Sequence, residues 1–242
     1  MAERSGGDLE RSSAFYQGEG GRLNKDIISA STLSMLRRYD LGRRVLLMGI
    51  GDGLVLEALA SDPRHQVTVV EGSATLVARY SEHRDIACVH SLFEDYRPED
   101  PFDSVIGTHV LEHVADPIAV AVMAAGWARQ EGRLFFTVPN ADSLHRRIGV
   151  EMGLLPARDA LHEQDISQGH RRVYRAEILK RDLVHAGLVV QEIRGYILKT
   201  MSNQQMAHLS ADYLRASLQV SLELPPEYCS SLLAVCRRRA AA

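Results

Sequence analysis

Three glycines on alternate positions, Gly49, Gly51 and Gly53, are followed about 20 residues later by Glu71, and this spacing speaks of ligand chemistry. Glycine lets the backbone bend sharply and lets a ligand lie against the main chain, because no Cβ intervenes. An acidic side chain at the end of the following strand can take both hydroxyls of a ribose. The combination points to a nucleoside. A dinucleotide fingerprint would place its third glycine at position 54, which is Leu54, and no Walker lysine is present, so a pyrophosphate or triphosphate ligand is disfavoured. The plain alternative is a glycine-rich turn that binds nothing, and the position of Glu71 counts against it.

A second set of reactive groups is dispersed. His113, His145 and His170 can each serve as a general base near neutral pH. Arg171, Arg172 and Lys199 suit a carboxylate or phosphorylated ligand, since a guanidinium fork grips planar anions. Asn140 and Tyr174 are further polar candidates for substrate binding. For each there is a structural alternative: a hydrogen-bonded histidine, solvated arginines, or His170 capping the helix that follows. No metal ligand set is assigned.

These groups need elements to position them. The apolar run 44–48 is too short for a helix and reads as a buried parallel strand, and helical spacing over 54–60 follows the glycines. A second strand, 67–70, closes a βαβ unit at Glu71 and Gly72. Further strands are expected at 86–90, 104–110 and 133–138, with helices at 26–39, 74–83, 117–128 and 175–186. Asp116 and Pro117 supply a cap and a first helical residue. Two last strands, 188–196 and 231–235, finish the pattern. The stretches 141–174 and 198–228 exceed what a simple connection needs and read as cap insertions.

The chain has 242 residues, with mixed charges that sum to −3, so a nucleic-acid surface with a basic excess is not expected. The three cysteines, Cys88, Cys229 and Cys236, make no C-x-x-C pair and read as reduced and buried, which suits the cytoplasm. Residues 1–13 carry no hydrophobic leader core, and the longest apolar run, 118–128, is too short to span a bilayer. One domain over 1–242 is expected, with 1–40 forming an N-terminal lid and helix.

The stretches VLLMGIGDG, VTVVEGS, FDSVIGTHVLEHVADP and EGRLFFTVPNADSLHRR occur in this order, and over roughly 25–196 the chain resembles the class I S-adenosylmethionine-dependent methyltransferases. Within them it is similar to the broad group related to the ubiquinone-biosynthesis O-methyltransferases. The resemblance implies an α/β fold: a Rossmann-like, doubly wound, seven-stranded sheet, mostly parallel, with one antiparallel strand near the C-terminus. It implies S-adenosyl-L-methionine as cofactor, held by Gly49, Gly51, Gly53, Glu71 and Gly72. Leu92 and Phe93 would face the adenine and Glu94 its exocyclic amine, with the main chain of Thr108 and His109 near the methionine ammonium. Tyr16, Arg22 and Lys25 are the candidates for the methionine carboxylate. One departure stands out: Leu47 occupies a position usually Asp or Glu, which bears on cofactor affinity and not on the fold.

The implied reaction is methyl transfer to a small-molecule acceptor, oxygen before nitrogen, since the histidines make a base available for a hydroxyl while the arginines suit a carboxylate. The expected partners are that acceptor, anionic if the arginines face it, with no nucleic acid and no membrane; a homodimer is left open. An N-methyltransferase, a catalytically silent partner or cofactor sensor, and a dinucleotide oxidoreductase are the alternatives.

Overall fold

The structure is a computed structural model that describes residues 25–206 and 208–239. The expectations placed on Tyr16 and Arg22 lie outside the described residues. A π-helical turn, Lys25–Ser29, runs into helix α1, Ala30–Leu36. Strand β1 (Arg44–Met48), helix α2 (Leu54–Ala60) and strand β2 (Gln66–Glu71) follow. Next come helix α3 (Ala74–Tyr80), strands β3 (Ile86–His90) and β4 (Phe102–Thr108), helix α4 (Pro117–Trp127) and strand β5 (Ala128–Pro139). The first insertion carries α5 (Leu144–Glu151) and the short α6 (Glu163–Ser167), and leads to α7 (Ala176–His185) and β6 (Leu188–Leu198). The second carries α8 (Asn203–Met206), α9 (Ala211–Ser221) and a 3-10 turn at Pro226–Tyr228, and ends in β7 (Cys229–Arg238).

The strands make one seven-stranded sheet in the order β3-β2-β1-β4-β5-β7-β6, parallel throughout except for β7, which runs antiparallel to both its neighbours. The expected α/β fold is thus present, antiparallel strand included. Strand β1 explains the layering. Its side chains alternate in direction, so Leu46 and Met48 enter the core under α4 and α7, while Val45 and Leu47 enter the core under α1 and α2. Both faces are covered, which is why RVLLM reads as a continuous apolar run and not as an alternation.

Boundaries differ from expectation where polarity misleads. The first helix begins as a π turn and stops at Leu36, three residues before the expected end. Strand β5 starts directly after Trp127, because Ala128 pairs with Phe102 across a register shift although Arg129, Gln130 and Glu131 read as loop. Asp116 caps α4 as expected, accepting from the Ala119 N–H at 2.9 Å.

The chain leaves β1 toward β2 and β3, then crosses back to place β4 on the other side of β1. That reversal makes the carboxyl ends of β1 and β4 the switch point of the sheet, where open α/β proteins bind ligands. Met48 pairs with Gly107 in this register, so the glycine turn and the segment after Thr108 leave the sheet side by side.

Candidate functional site

The glycine turn is held by main-chain geometry. Gly49, Gly51 and Gly53 all have positive φ, +80°, +59° and +87°, a region that side chains with a Cβ avoid. Their reasons differ. A Cβ on Gly53 would lie 1.9 Å from the Tyr80 hydroxyl, so this glycine admits a neighbouring helix, whereas a Cβ on Gly51 would meet no atom within 4 Å and would project into open space. Glu71 ties the turn to β2: Oε2 accepts the Ile50 N–H at 2.9 Å and Oε1 the Ser73 N–H at 2.7 Å. Each carboxylate oxygen keeps a further lone pair for a hydroxyl donor. Open space at Gly51 beside a buried carboxylate fits the ribose and the methionine chain of S-adenosylmethionine.

The remaining cofactor candidates gather on the same edge. The Ser91 N–H donates to the Glu71 carbonyl at 3.1 Å, bringing the loop after β3 against β2. On that loop Leu92 and Glu94 are exposed, and Phe93 is half-buried against the core. The Gly72 carbonyl oxygen lies 3.3 Å from His90 Nε2. Thr108 ends β4, and His109 follows in the left-handed region at φ +53°. Lys25 sits 3.7 Å from Glu57 Oε2, at the first turn of α2. Leu47 is buried in the apolar layer beneath α1 and α2.

Beside this half stands a polar centre made of side chains. Glu112 is fully buried, and its Oε1 lies 2.8 Å from His109 Nδ1. Burial alone would push its carboxyl up. The charge and hydrogen bond of His109, with His113 and His170 beyond, outweigh burial and hold its pKa below the ordinary value. His113 and His170 meet edge to face at 4.7 Å between ring centroids, although 57 positions separate them in the chain. Asp165 Oδ1 lies 3.3 Å from His170 Nδ1, and the other oxygen, Oδ2, lies 3.2 Å from Arg146 Nη1.

The first insertion is bound to the loop after β4 through main-chain carbonyls. Arg171 donates its N–H to the Glu112 carbonyl at 2.8 Å and its Nε–H to the His113 carbonyl at 3.1 Å. Arg172 donates Nη1–H to the carbonyls of Leu111 at 2.7 Å and Val114 at 2.5 Å, and Nη2–H to Ala115 at 3.1 Å. The guanidinium expected to grip an anion is therefore spent on holding the loop 111–115. Asn140 is corrected in the same way. Its amide donates to the carbonyls of Pro226 and Cys229 at 2.9 and 2.8 Å and its Oδ1 accepts the Asp142 N–H, so it fastens both insertions instead of facing an acceptor. Tyr174 is buried in the core, where burial raises its phenol pKa.

His145 and Lys199 lie on the other flank of Asp165. The His145 N–H donates to the Lys199 carbonyl at 3.1 Å, so the second insertion does reach the first. Burial, with the charges of Lys199 and Arg146, lowers the His145 pKa to about 2, which keeps the ring neutral and makes it a poor proton acceptor. Burial likewise lowers the Lys199 ammonium to about 8.

Sequence reasoning gave no role to Asp165 or Arg146. Arg146 is buried and donates to the carbonyls of Arg158 and Ala160 as well as to Asp165. A signal for Glu112 was present: His109, Glu112 and His113 share one turn at spacings of three and four. Asp165 had none, because its partners are distant in the chain.

A family model described as a methyltransferase domain matches residues 21–193. The ubiquinone biosynthesis O-methyltransferase of Xylella fastidiosa (strain 9a5c) is 27% identical over 201 residues, 76% of each chain. That of Idiomarina loihiensis is 27% identical over 170 residues, 65% of this chain and 69% of the relative. Among solved structures, a possible histamine N-methyltransferase from Thermotoga maritima superposes with a TM-score of 0.69 at 14% identity, covering 96% of this chain and all of that one. An N-methyltransferase from Bradyrhizobium japonicum, solved with S-adenosyl-L-homocysteine, gives 0.60 at 15% identity over 96% and 99% of the two chains.

Proposed function

Since this chain belongs to the methyltransferase family and is an S-adenosylmethionine-dependent enzyme of it, we propose that it methylates an oxygen of a small-molecule acceptor, a hydroxyl or a carboxylate. The observation that carries the choice of oxygen is the polar centre of buried Glu112 and His113 with partly buried His170, beside the carboxyl end of β4. A hydroxyl must lose its proton on methylation, and an amine needs only to be neutral, so a centre of this kind serves an oxygen acceptor best. The relatives' own names, O-methyltransferases of ubiquinone biosynthesis, support the same acceptor class.

The cofactor supplies an activated methyl group on a sulfonium, and the protein aligns the acceptor with it. The turn at Gly49 to Gly53 leaves main-chain space, and Glu71 offers carboxylate lone pairs to the ribose. On this reading Leu92 and Phe93 would stack on the adenine ring, with Glu94 toward its exocyclic amine. Of the three cations considered for an anionic acceptor, Arg172 is engaged by carbonyls, and Lys199 and Arg171 would be the ones to favour such an acceptor.

The test is a radiolabelled methyl-transfer assay against phenols, alcohols, carboxylates and amines of similar size. Transfer to oxygen acceptors is the expected result. Transfer confined to amines overturns the reading.

A further inference from the structure

We propose that Glu112, His113 and His170 form a binding site for a divalent transition-metal ion, against the expectation of no metal. The proposal rests on the reading of this centre as the acceptor side of a methyltransferase. One ligand atom from each of the three residues lies within 4.8 Å of the others, close enough for a single ion to reach all three. The residues come from one turn after β4 and from the far end of the first insertion, so only the folded chain brings them together.

Glu112 gives the strongest argument. Its carboxylate is fully buried, and one oxygen is taken by His109. The other, Oε2, is buried with no hydrogen-bond partner among the described residues. A buried carboxylate oxygen left so is costly, and a cation is the partner that removes the cost. The second argument is the orienting groups. His109 Nδ1 fixes the Glu112 carboxylate, and Asp165 stands 3.3 Å behind His170 Nδ1, itself held by Arg146. Carboxylates and imidazoles placed behind the ligands are how metal sites set ring rotation and tautomer.

Two imidazoles and one carboxylate select a borderline ion such as zinc, iron(II), cobalt or manganese over magnesium or calcium, which prefer oxygen alone. Three protein ligands also leave positions open for an outside oxygen. In that place the ion would take the acceptor oxygen and lower the proton affinity of its hydroxyl. The proton passes to solvent water, the oxygen pair forms the new C–O bond, the C–S pair returns to sulfur, and the ion keeps its oxidation state. The histidines then act as ligands and not as bases.

The experiment is a titration of chelator-treated protein with Co²⁺ as the probe, followed by its visible absorption, with S-adenosylhomocysteine calorimetry as the check on folding. A single ion per chain with nitrogen-ligand absorption is expected. Glu112→Gln and His170→Ala should each abolish it, and Asp165→Asn should weaken it by roughly 10- to 100-fold. His170 lies on the cap, so its variant decides the matter if Glu112→Gln does not fold. No uptake by protein that still binds S-adenosylhomocysteine overturns the metal site, as does uptake undiminished in His170→Ala. Methyl transfer to hydroxyls that survives chelation in full would sink the ion and leave the proposed function standing. Ion binding together with transfer only to amines would do the reverse.

Discussion

The two halves of the carboxyl edge are built from different materials. The glycine turn, Glu71 and the loop after β3 make a surface of main chain, in which one carboxylate receives two backbone N–H groups and three glycines take positive φ. The cap half is made of side chains, and its members arrive from the turn after β4 and from both insertions. A main-chain surface suits a ligand common to a whole family, because it depends on geometry that many sequences can supply. A side-chain surface suits the acceptor, which differs from one enzyme to the next.

The largest effect that would break this comparison lies on the cap side. His170→Ala should lower turnover by about 10²- to 10⁴-fold, the range for loss of a group that activates the acceptor's hydroxyl, while cofactor affinity stays unchanged. Turnover by single-turnover kinetics and affinity by calorimetry separate the two. A parallel fall in both would mean that the halves are not independent.

The second effect lies on the main-chain side. Gly51→Val puts a branched side chain at φ +59° into the open space beside the turn. The fold should survive, since the new Cβ meets nothing, with a strain of about 1–3 kcal/mol. Cofactor affinity should fall by at least about 100-fold, near 3 kcal/mol. Normal binding would place the ligand elsewhere.

Both halves were legible to different depths, and their materials say why. Gly49, Gly51, Gly53 and Glu71 lie within one βαβ unit, so local spacing announces them. The pairing of Glu112 with His170 depends on where the first insertion returns, and no local pattern carries that. The spending of Arg172 and Asn140 on carbonyls is equally hidden, because a guanidinium or an amide looks the same in sequence whether it faces a ligand or fastens a loop. Gly53 shows the converse. It sits in the glycine pattern as if for the ligand, yet its close neighbour is the Tyr80 hydroxyl.

A third prediction sharpens the role of Glu71. Glu71→Ala should weaken S-adenosylhomocysteine binding by about 1.5–3 kcal/mol, the worth of hydrogen bonds to a charged group. It also strips the Ile50 and Ser73 N–H groups of their acceptor, so thermal stability should drop with it. Glu71→Gln keeps an acceptor oxygen and should retain more of both. Affinity unchanged in the alanine variant would remove Glu71 from the cofactor site.

The smallest effect concerns Lys199, where the second insertion meets the first. Burial lowers its pKa to about 8 from 10.5, with Arg146 adding to burial and Asp165 opposing it; His145 lies on the same flank and stays neutral. Below pH 8 the ammonium is charged in both the folded and unfolded chains, and folding carries the full cost of burying it. Between about 8 and 10.5 the folded chain has released the proton and the unfolded chain has not, so the cost is relieved and stability rises with pH. The slope cannot exceed about 1.4 kcal/mol per pH unit for one proton. Denaturant unfolding of the wild type and of Lys199→Met across this window isolates the contribution. The wild type should gain on the variant as pH rises. A constant difference would show that Lys199 keeps its ordinary affinity for the proton, and that the junction of the two insertions is open to water.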